Sequence, residues 1–494
     1  MTRAWFVLLL ALLAQAPAFE PTQRDLFAAG ANLVNAWADY DRDGDPDLFV
    51  GFDGTPNRLY RNDRGTFRDV ATEAGIADAR STRAAAWGDF DADGDPDLLV
   101  GFTPGPAGPV IRIYRNDAAK FVDASAHLGI GVAAGAVRQP AWIDFDGDGD
   151  LDLFVAFRDR GNALFRNDAG KFMEIASEIG LADRRRTVGA VWFDFDQDGD
   201  LDLAVANMDG DANGLFRNDG ATTGLGAGRT FTDVAEQAGA MWAGRTPGEK
   251  TNGSVRVCAT DVNNDGRFDL FGANYGKNGL LLNQGDRTFK DVSAAWGIDI
   301  DARYDTCVFE DFDNDGRVDL YVNGTVTGGV SHPDFLFRNT GDRFVDVTAA
   351  DLKALHADHG AQWADFDNDG DADLALAGAQ KNGMHLLLRN TLAPEIAARS
   401  LKVRVVDAGN RATRAGAEVR VFAAGTTRLL ATRLVDSGSG YNAQNDLPVH
   451  VGLASYDAID LEVVFPRAGK RVAARQTRVD PRAWRGKTLL IRVQ

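Results

Sequence analysis

The sequence predicts an all-β protein: a seven-bladed β-propeller followed by a small antiparallel β domain. Three observations predict it. A nine-residue phrase, Asp-x-Asp/Asn-x-Asp-Gly-x-x-Asp followed by Leu, recurs seven times, beginning at Asp39, Asp89, Asp144, Asp194, Asp261, Asp311 and Asp365. Its flanks are short, apolar and bounded by glycine, as buried strands are. After Pro394 the phrase stops and basic alternating strands such as Leu401-Lys402-Val403-Arg404-Val405 begin. Starts 50 to 67 residues apart fit a propeller, a solenoid or an array.

In chain order, residues 1–18 read as a secretory signal, with Arg3, an apolar run over 4–14 and Ala16-Pro17-Ala18 as a small-residue cleavage site. The mature chain then starts at Phe19. The run is too short to span a bilayer, and no later stretch reaches about 18 apolar residues. The expected location is therefore secreted or periplasmic, with no membrane span.

Each repeat reads as four strands. The first ends two residues before the phrase, at Trp37, Trp87, Trp142, Trp192, Ala259, Phe309 or Trp363. The phrase is a hairpin loop, and a second strand follows it. A third strand ends in Arg-Asn, as in Leu59-Tyr60-Arg61-Asn62, or its equivalent up to Asn390. A fourth carries Phe-x-Asp-Val at Phe67, Phe121, Phe172, Phe231, Phe289 and Phe344. Four-stranded units at this period make propeller blades. The seventh unit lacks its fourth strand, and residues 19–30 are expected to supply it and close the ring. The aromatic positions are expected to be packing. The long interval between the fourth and fifth loops holds Gly-rich insertions at 222–228 and 244–251, candidates for specificity.

Carboxylates two residues apart repel one another unless a cation sits among them, and hard oxygen ligands select calcium. The candidate metal residues, loop by loop, are Asp39, Asp41, Asp43, Asp45 and Asp47; Asp89, Asp91, Asp93, Asp95 and Asp97; Asp144, Asp146, Asp148, Asp150 and Asp152; Asp194, Asp196, Asp198, Asp200 and Asp202; Asp261, Asn263, Asp265, Arg267 and Asp269; Asp311, Asp313, Asp315, Arg317 and Asp319; and Asp365, Asp367, Asp369, Asp371 and Asp373. Up to seven Ca²⁺ ions are expected. The seventh place holds Asp five times and Arg twice, so its ligand is expected to be the backbone carbonyl. The glycine at the sixth place suits a turn needing positive φ. An EF-hand is excluded, because it needs a glutamate at the twelfth place and flanking helices, whereas Val50 and Val100 stand there in the first two loops, followed by Gly51 and Gly101.

The formal charge is −19, and 32 of the 72 acidic residues fall inside the seven phrases. The acidity reports metal sites, and with no basic, aromatic-studded surface no nucleic-acid partner is expected. Cys258 and Cys307 precede the fifth and sixth loops, and strand alternation points them across a shared interface between neighbouring units. A disulfide and two buried thiols are both compatible with that placement, and an exported compartment permits the bond.

The repeats resemble the FG-GAP or VCBS repeats of integrin-α-type propellers over residues 19–392. Gly416-Ala417-Glu418-Val419, the segment from Gly438-Ser439-Gly440-Tyr441 through Asn442-Ala443-Gln444-Asn445, Val449-His450-Val451-Gly452-Leu453 and Leu461-Glu462-Val463-Val464-Phe465-Pro466 resemble the ASPIC/UnbV domain, here over 393–494. Phe465 stands where that family usually shows Trp, and Ala468 where it usually shows Ser. The combination is similar to bacterial members of the cartilage acidic protein family. The resemblance implies extracellular calcium binding and interaction, with no agreed reaction.

Catalytic signatures are thin: neither Gly-x-Ser-x-Gly nor His-Glu-x-x-His occurs, and His356 and His359 before the seventh loop give only a hint of a second metal or a general base. The leading expectation is an adhesion or interaction scaffold for an extracellular protein or polysaccharide surface. The alternative is an exported carbohydrate-active enzyme of polysaccharide-lyase type, which would need a Tyr, His or Lys base grouped with Arg around one mouth.

Overall fold

The computed structural model describes residues 18–493 apart from 107, 133, 222–228, 328, 356–358, 380–382, 384, 446, 447 and 456. The expected signal up to residue 17, the insertion 222–228 and His356 lie outside the described residues.

Up to Asn390 the chain forms four-stranded antiparallel units. Unit one consists of Asn32–Ala38, Asp47–Phe52, Arg58–Asp63 and Thr66–Asp69, each strand bonded to the next. Units two, three and four repeat that order over 82–123, 137–174 and 187–233. Units five (253–291) and six (301–346) share one sheet, because the end of the second strand of five pairs with the start of the first strand of six, Tyr275 opposite Arg303. Unit seven has three consecutive strands, Gly360–Ala364, Asp373–Ala377 and Leu386–Asn390. Its fourth strand is Phe19–Pro21, antiparallel to Leu386–Asn390 with Phe19 opposite Asn390. The first strands of successive units touch around a full circuit, that of unit seven lying against that of unit one. The result is a closed, β-propeller-like ring.

The strands follow from where each one sits. The first and second strands of unit one are buried along their whole length, packed on both faces by neighbouring units. The outermost strand buries only Phe67 and turns its other residues to solvent. Between units the aromatics pack as expected: Tyr40 stacks on Trp87 of the next unit with ring centroids 6.3 Å apart, and Phe90 on Trp142 at 6.0 Å. Each such ring removes enough apolar surface from water to contribute roughly 4–6 kcal/mol gross.

Cys258 and Cys307 form a disulfide that ties unit five to unit six across 49 residues of sequence. By loop-closure entropy a link of that span stabilises by roughly 4 kcal/mol. Denatured, unreduced protein should therefore titrate no free thiol, and reduction should lower the urea midpoint of unfolding; two titrated thiols would contradict the bond.

Beyond residue 399 two sheets stack. One holds Val449–Gly452, Ser400–Val406 and Thr488–Arg492; the other holds Leu429–Leu434, Glu418–Ala423, Ile459–Pro466 and Arg471–Val479. The expectation of a wholly antiparallel domain is corrected at one pairing: Thr488–Arg492 runs parallel to Ser400–Val406, with Lys402 opposite Thr488. The chain leaves one sheet at Val479, turns through the 3-10 helix Pro481–Trp484 and joins the other sheet, and such a crossover connection can deliver a parallel strand. The domain core, with Val403, Val419, Val463 and Phe465, is continuous with the core of units three and four through Leu201 and Trp192.

Candidate metal centres

The hairpin loops share one local construction. The sixth-place glycine is left-handed, with φ of 97° at Gly44, 95° at Gly94 and 100° at Gly370. The fourth place is left-handed as well, at Arg42, Ala92, Gln197, Asn264, Asn314 and Asn368, which the sequence pattern did not announce. The ninth-place aspartate clamps the hairpin. Asp97 accepts the Phe90 N–H at 3.1 Å on one oxygen and the Asn116 N–H at 2.8 Å on the other, and Asp47 does the same with Tyr40 and Asn62. The first-place aspartate accepts the glycine N–H, 3.1 Å from Gly94 to Asp89. The fifth accepts the seventh N–H, 2.9 Å from Asp95 to Asp93.

These bonds turn the remaining carboxylate oxygens inward. In at least five loops, among them Asp89/Asp91/Asp97, Asp144/Asp146/Asp152 and Asp311/Asp313/Asp315, three carboxylates each bring an oxygen within 4.8 Å of the others. Asp41 Oδ1, Asp89 Oδ1, Asp144 Oδ1, Asp196 Oδ1, Asp313 Oδ1 and Asp365 Oδ1 are buried and accept no hydrogen bond from the protein. Burial and neighbouring carboxylates push Asp89 up to about 6, and Asp47 and Asp97 up to about 9, in the absence of a cation. Orphaned, crowded oxygens of this kind fit a hard divalent cation, which supplies the charge and the coordination that the protein withholds.

The seventh-place side chains face away from the loop centre. Asp45 accepts the Arg64 N–H at 3.0 Å and Asp371 the Leu392 N–H at 3.0 Å, each bracing the turn after the third strand. Arg267 and Arg317 fold back onto the fifth-place Asp265 and Asp315 and donate to the Asn283 and Asn339 carbonyls. Both arrangements engage the seventh side chain elsewhere, which is compatible with a backbone-carbonyl ligand at that place.

The Arg-Asn strand ends serve as staples, a role that sequence reasoning missed. Asn116 Nδ2 donates to the Tyr40 carbonyl of the preceding unit at 2.9 Å and to the Pro96 carbonyl of its own loop at 3.1 Å. Asn62, Asn167, Asn283, Asn339 and Asn390 reach the preceding unit likewise, at Phe366, Phe90, Phe195, Val262 and Phe312. Asn116→Ala should cost about 2–4 kcal/mol, because it leaves buried carbonyls without donors; chemical denaturation measures it, and a loss under about 0.5 kcal/mol would deny the staple.

The second domain reaches into five hairpins with cations, into the fifth loop through Arg420 Nη2, which donates to the Gly266 carbonyl at 3.3 Å, and into four others by ion pairs. Arg414 Nη1 lies 3.0 Å from Asp144 Oδ2, Lys402 Nζ 3.1 Å from Asp365 Oδ2, Arg433 Nη2 3.5 Å from Asp311 Oδ2 and Arg471 Nε 3.8 Å from Asp194 Oδ2. In Asp144 and Asp365 the other oxygen is one of the orphans, so each carboxylate divides between an internal cation and the loop centre. Burying a charge uncompensated is expensive, and these pairs fix the domain on the hairpin face of the ring.

From the same domain the loop 436–445 enters the ring's axis. Near the hairpin end the Trp37 N–H donates to the Gln444 carbonyl at 3.2 Å, and the Trp87 N–H to Gln444 Oε1 at 2.8 Å. Halfway along, the Ala85 N–H donates to the Asn442 carbonyl at 3.1 Å. At the far end Arg83 Nη2 donates to the Tyr441 hydroxyl at 3.3 Å. The other leg passes so close to Gln139 and Gln362 that a Cβ on Gly438 or Gly440 would collide with their amides, which explains both glycines. Fully buried Arg256 of unit five donates to the Ala190 carbonyl of unit four and to the Gly438 carbonyl, and so ties the loop to both units.

FG-GAP-like repeats match at residues 39–100, 144–205 and 261–322, and an ASPIC and UnbV domain at 407–490. Cartilage acidic protein 1 of Xenopus tropicalis is 25% identical over 359 residues, covering 67% of this chain and 51% of that protein. The Homo sapiens protein is 26% identical over 368 residues, covering 68% and 51%. The chain thus spans about half the length of the curated relatives it matches. Among solved structures, an Agrocybe aegerita protein that recognises non-reducing terminal N-acetylglucosamine aligns with TM-score 0.37 and 17% identity, covering 65% of this chain and 81% of that one. Bacillus licheniformis rhamnogalacturonan lyase aligns with TM-score 0.36 and 11% identity, covering 77% and 76%.

Proposed function

We propose that this chain, a homologue of the cartilage acidic protein 1 family with FG-GAP-like repeats and an ASPIC/UnbV domain, is an exported calcium-binding scaffold for adhesion or interaction. In this reading residues 1–18 are the signal, 19–392 a seven-bladed propeller with up to seven calcium ions, and 393–494 the second domain. The observation that carries the reading is the set of buried carboxylate oxygens without donors, one or more in loops one, two, three, four, six and seven. Calcium held there stabilises the hairpins, and five of the hairpins lie against the second domain. An outside protein or polysaccharide therefore meets the opposite face, where the insertion 244–251 also lies: the Gly210 N–H after the second strand of unit four donates to the Asn252 carbonyl at 2.7 Å.

The test is retention of the purified chain on a panel of cell-surface polysaccharides and surface-protein extracts, with calcium and with chelator, while folding is followed. Calcium-dependent retention without breakdown of the ligand supports the scaffold. Breakdown of a polysaccharide favours the second reading, a lyase-type enzyme, for which one observation speaks: Tyr441, His359 and Arg83 are gathered at the ring's far mouth. Folded, calcium-loaded protein that is retained by nothing would count against adhesion.

A further inference from the structure

The far mouth of the ring holds a cluster that the metal hairpins do not explain. Arg83 is the second residue of the first strand of unit two (Thr82–Gly88), and Arg138 is the second of the first strand of unit three (Val137–Ile143). Both lie at the strand ends remote from the aspartate loops. Asp305 belongs to the corresponding strand of unit six, and His359 immediately precedes that of unit seven. Tyr441 comes from the second domain at the tip of the axial loop. His359 Nδ1 is 2.7 Å from Asp305 Oδ2, and its ring stacks on Tyr441 at 5.0 Å and 29°. Val188, Met208, Val255 and Tyr275 pack around the Tyr441 ring.

The charges are unequal. Three other arginines near this face are paired, Arg158 with Asp209, Arg185 with Asp183 and Arg186 with Asp211. Among the described residues, neither Arg83 nor Arg138 has a carboxylate within ion-pair distance. Arg83 meets the Tyr441 hydroxyl, and Arg138 donates to the Val137 carbonyl at 2.8 Å while its buried Nε has no acceptor. A buried guanidinium short of acceptors is costly unless a ligand supplies them.

We infer that Arg83, Arg138, Tyr441 and His359 form a binding site for a carboxylate-bearing ligand at the ring's far mouth. The two guanidinium groups offer a planar oxyanion several N–H donors, and Tyr441 adds a hydroxyl. With Nδ1 engaged by Asp305, the Nε2 of His359 is the nitrogen left for the ligand. Burial raises the Tyr441 hydroxyl, yet Arg83, Arg138 and His359 outweigh it and hold that group below the ordinary tyrosine value, the sign of a locally positive field. In a chain of net charge −19 such a spot stands out. Neither the scaffold nor the lyase reading has to be right for the site to exist, and a site divided between two domains explains why the axial loop ends in tyrosine.

The experiment is isothermal titration of the calcium-loaded full chain with galacturonate, citrate and inorganic phosphate, repeated with Arg83→Gln, Arg138→Gln and Tyr441→Phe. Galacturonate or citrate should bind, and which of the two is tighter tells an acidic sugar from a small organic acid. Arg83→Gln should weaken binding about tenfold or more, the weight of one charge-assisted hydrogen bond. Tyr441→Phe should weaken it less, and its retained ring guards the fold if Arg138→Gln fails to fold. No binding of either carboxylate up to about 10 mM, equal binding by Arg83→Gln, or tighter binding of phosphate would each overturn the inference.

Discussion

Chelating calcium at pH 7 is expected to lower the melting temperature of the chain more than any single core substitution. If each hairpin ion is present at ten times its dissociation constant, it contributes about 1.4 kcal/mol by linkage, and seven such ions contribute about 10 kcal/mol, as much as the whole margin of many domains. The effect should also depend on pH with a definite sign. Without calcium, Asp89 titrates at about 6 and Asp97 at about 9, mainly through burial, against 3.8 for an ordinary aspartate. Folded-state values raised in this way favour the calcium-free fold at low pH, and that contribution is lost as pH rises through 6 to 9. Calcium requires the ionised carboxylates, so the loaded protein should behave in the opposite sense. The gap in melting temperature between calcium and chelator should therefore be wide at pH 8 and narrow toward pH 5. Scanning calorimetry across that range decides it, and identical curves with and without chelator would exclude calcium from these hairpins. The first two hairpins, to which the second domain brings no cation, should be the most sensitive: Asp89→Asn should reduce the calcium response more than Asp365→Asn, where Lys402 already sits at 3.1 Å.

The parts of this molecule that repeat were legible in the sequence. Seven phrases of constant internal spacing disclosed the hairpins, the tally of strand motifs disclosed that unit seven needed a partner, and alternation along two strands placed Cys258 and Cys307 where they could meet. What escaped was singular and long-range. Gln444 meets Trp87 across 357 residues, and Gln139 meets Ala443 across 304, each glutamine side chain finding a backbone atom whose residue type carries no signature of the bond. Gly438 to Asn445 carries the domain resemblance, but its partners are the inner strands of other units, which no local pattern shows. Lys402, Arg414, Arg433 and Arg471 escaped for the same reason: in sequence, a cation aimed at a distant carboxylate looks like one aimed at water. The basic composition after Pro394, set against acidic loops, was the one available signal of the domain contact. His359 was noticed only as a hint, and its meaning depends on Asp305 and on Tyr441 from the other domain.

Removing residues 19–30 should abolish cooperative unfolding, because this segment makes the array a ring. Phe19–Pro21 covers the edge of Leu386–Asn390 in unit seven. A few residues on, Gln23 exchanges two hydrogen bonds with Phe67 of unit one, accepting its N–H at 2.6 Å and donating to its carbonyl at 3.0 Å. Phe27 is fully buried among Trp37, Tyr60 and Phe67 of unit one and Phe366 and Leu387 of unit seven. One short segment thus spans the seam between the first and last units. Without it the seam loses an apolar plug, and Leu386–Asn390 becomes an unpaired edge, an invitation to pairing between molecules. Phe27→Ala isolates the plug from the strand and should cost about 3–5 kcal/mol while leaving unfolding cooperative. The deletion should instead give a broad transition and association at micromolar concentration, read by calorimetry and light scattering. A truncated chain that stays monomeric and melts sharply would place the seam elsewhere, held by the remaining contacts of Asn32 with Gly378 and of His385 with Asn35.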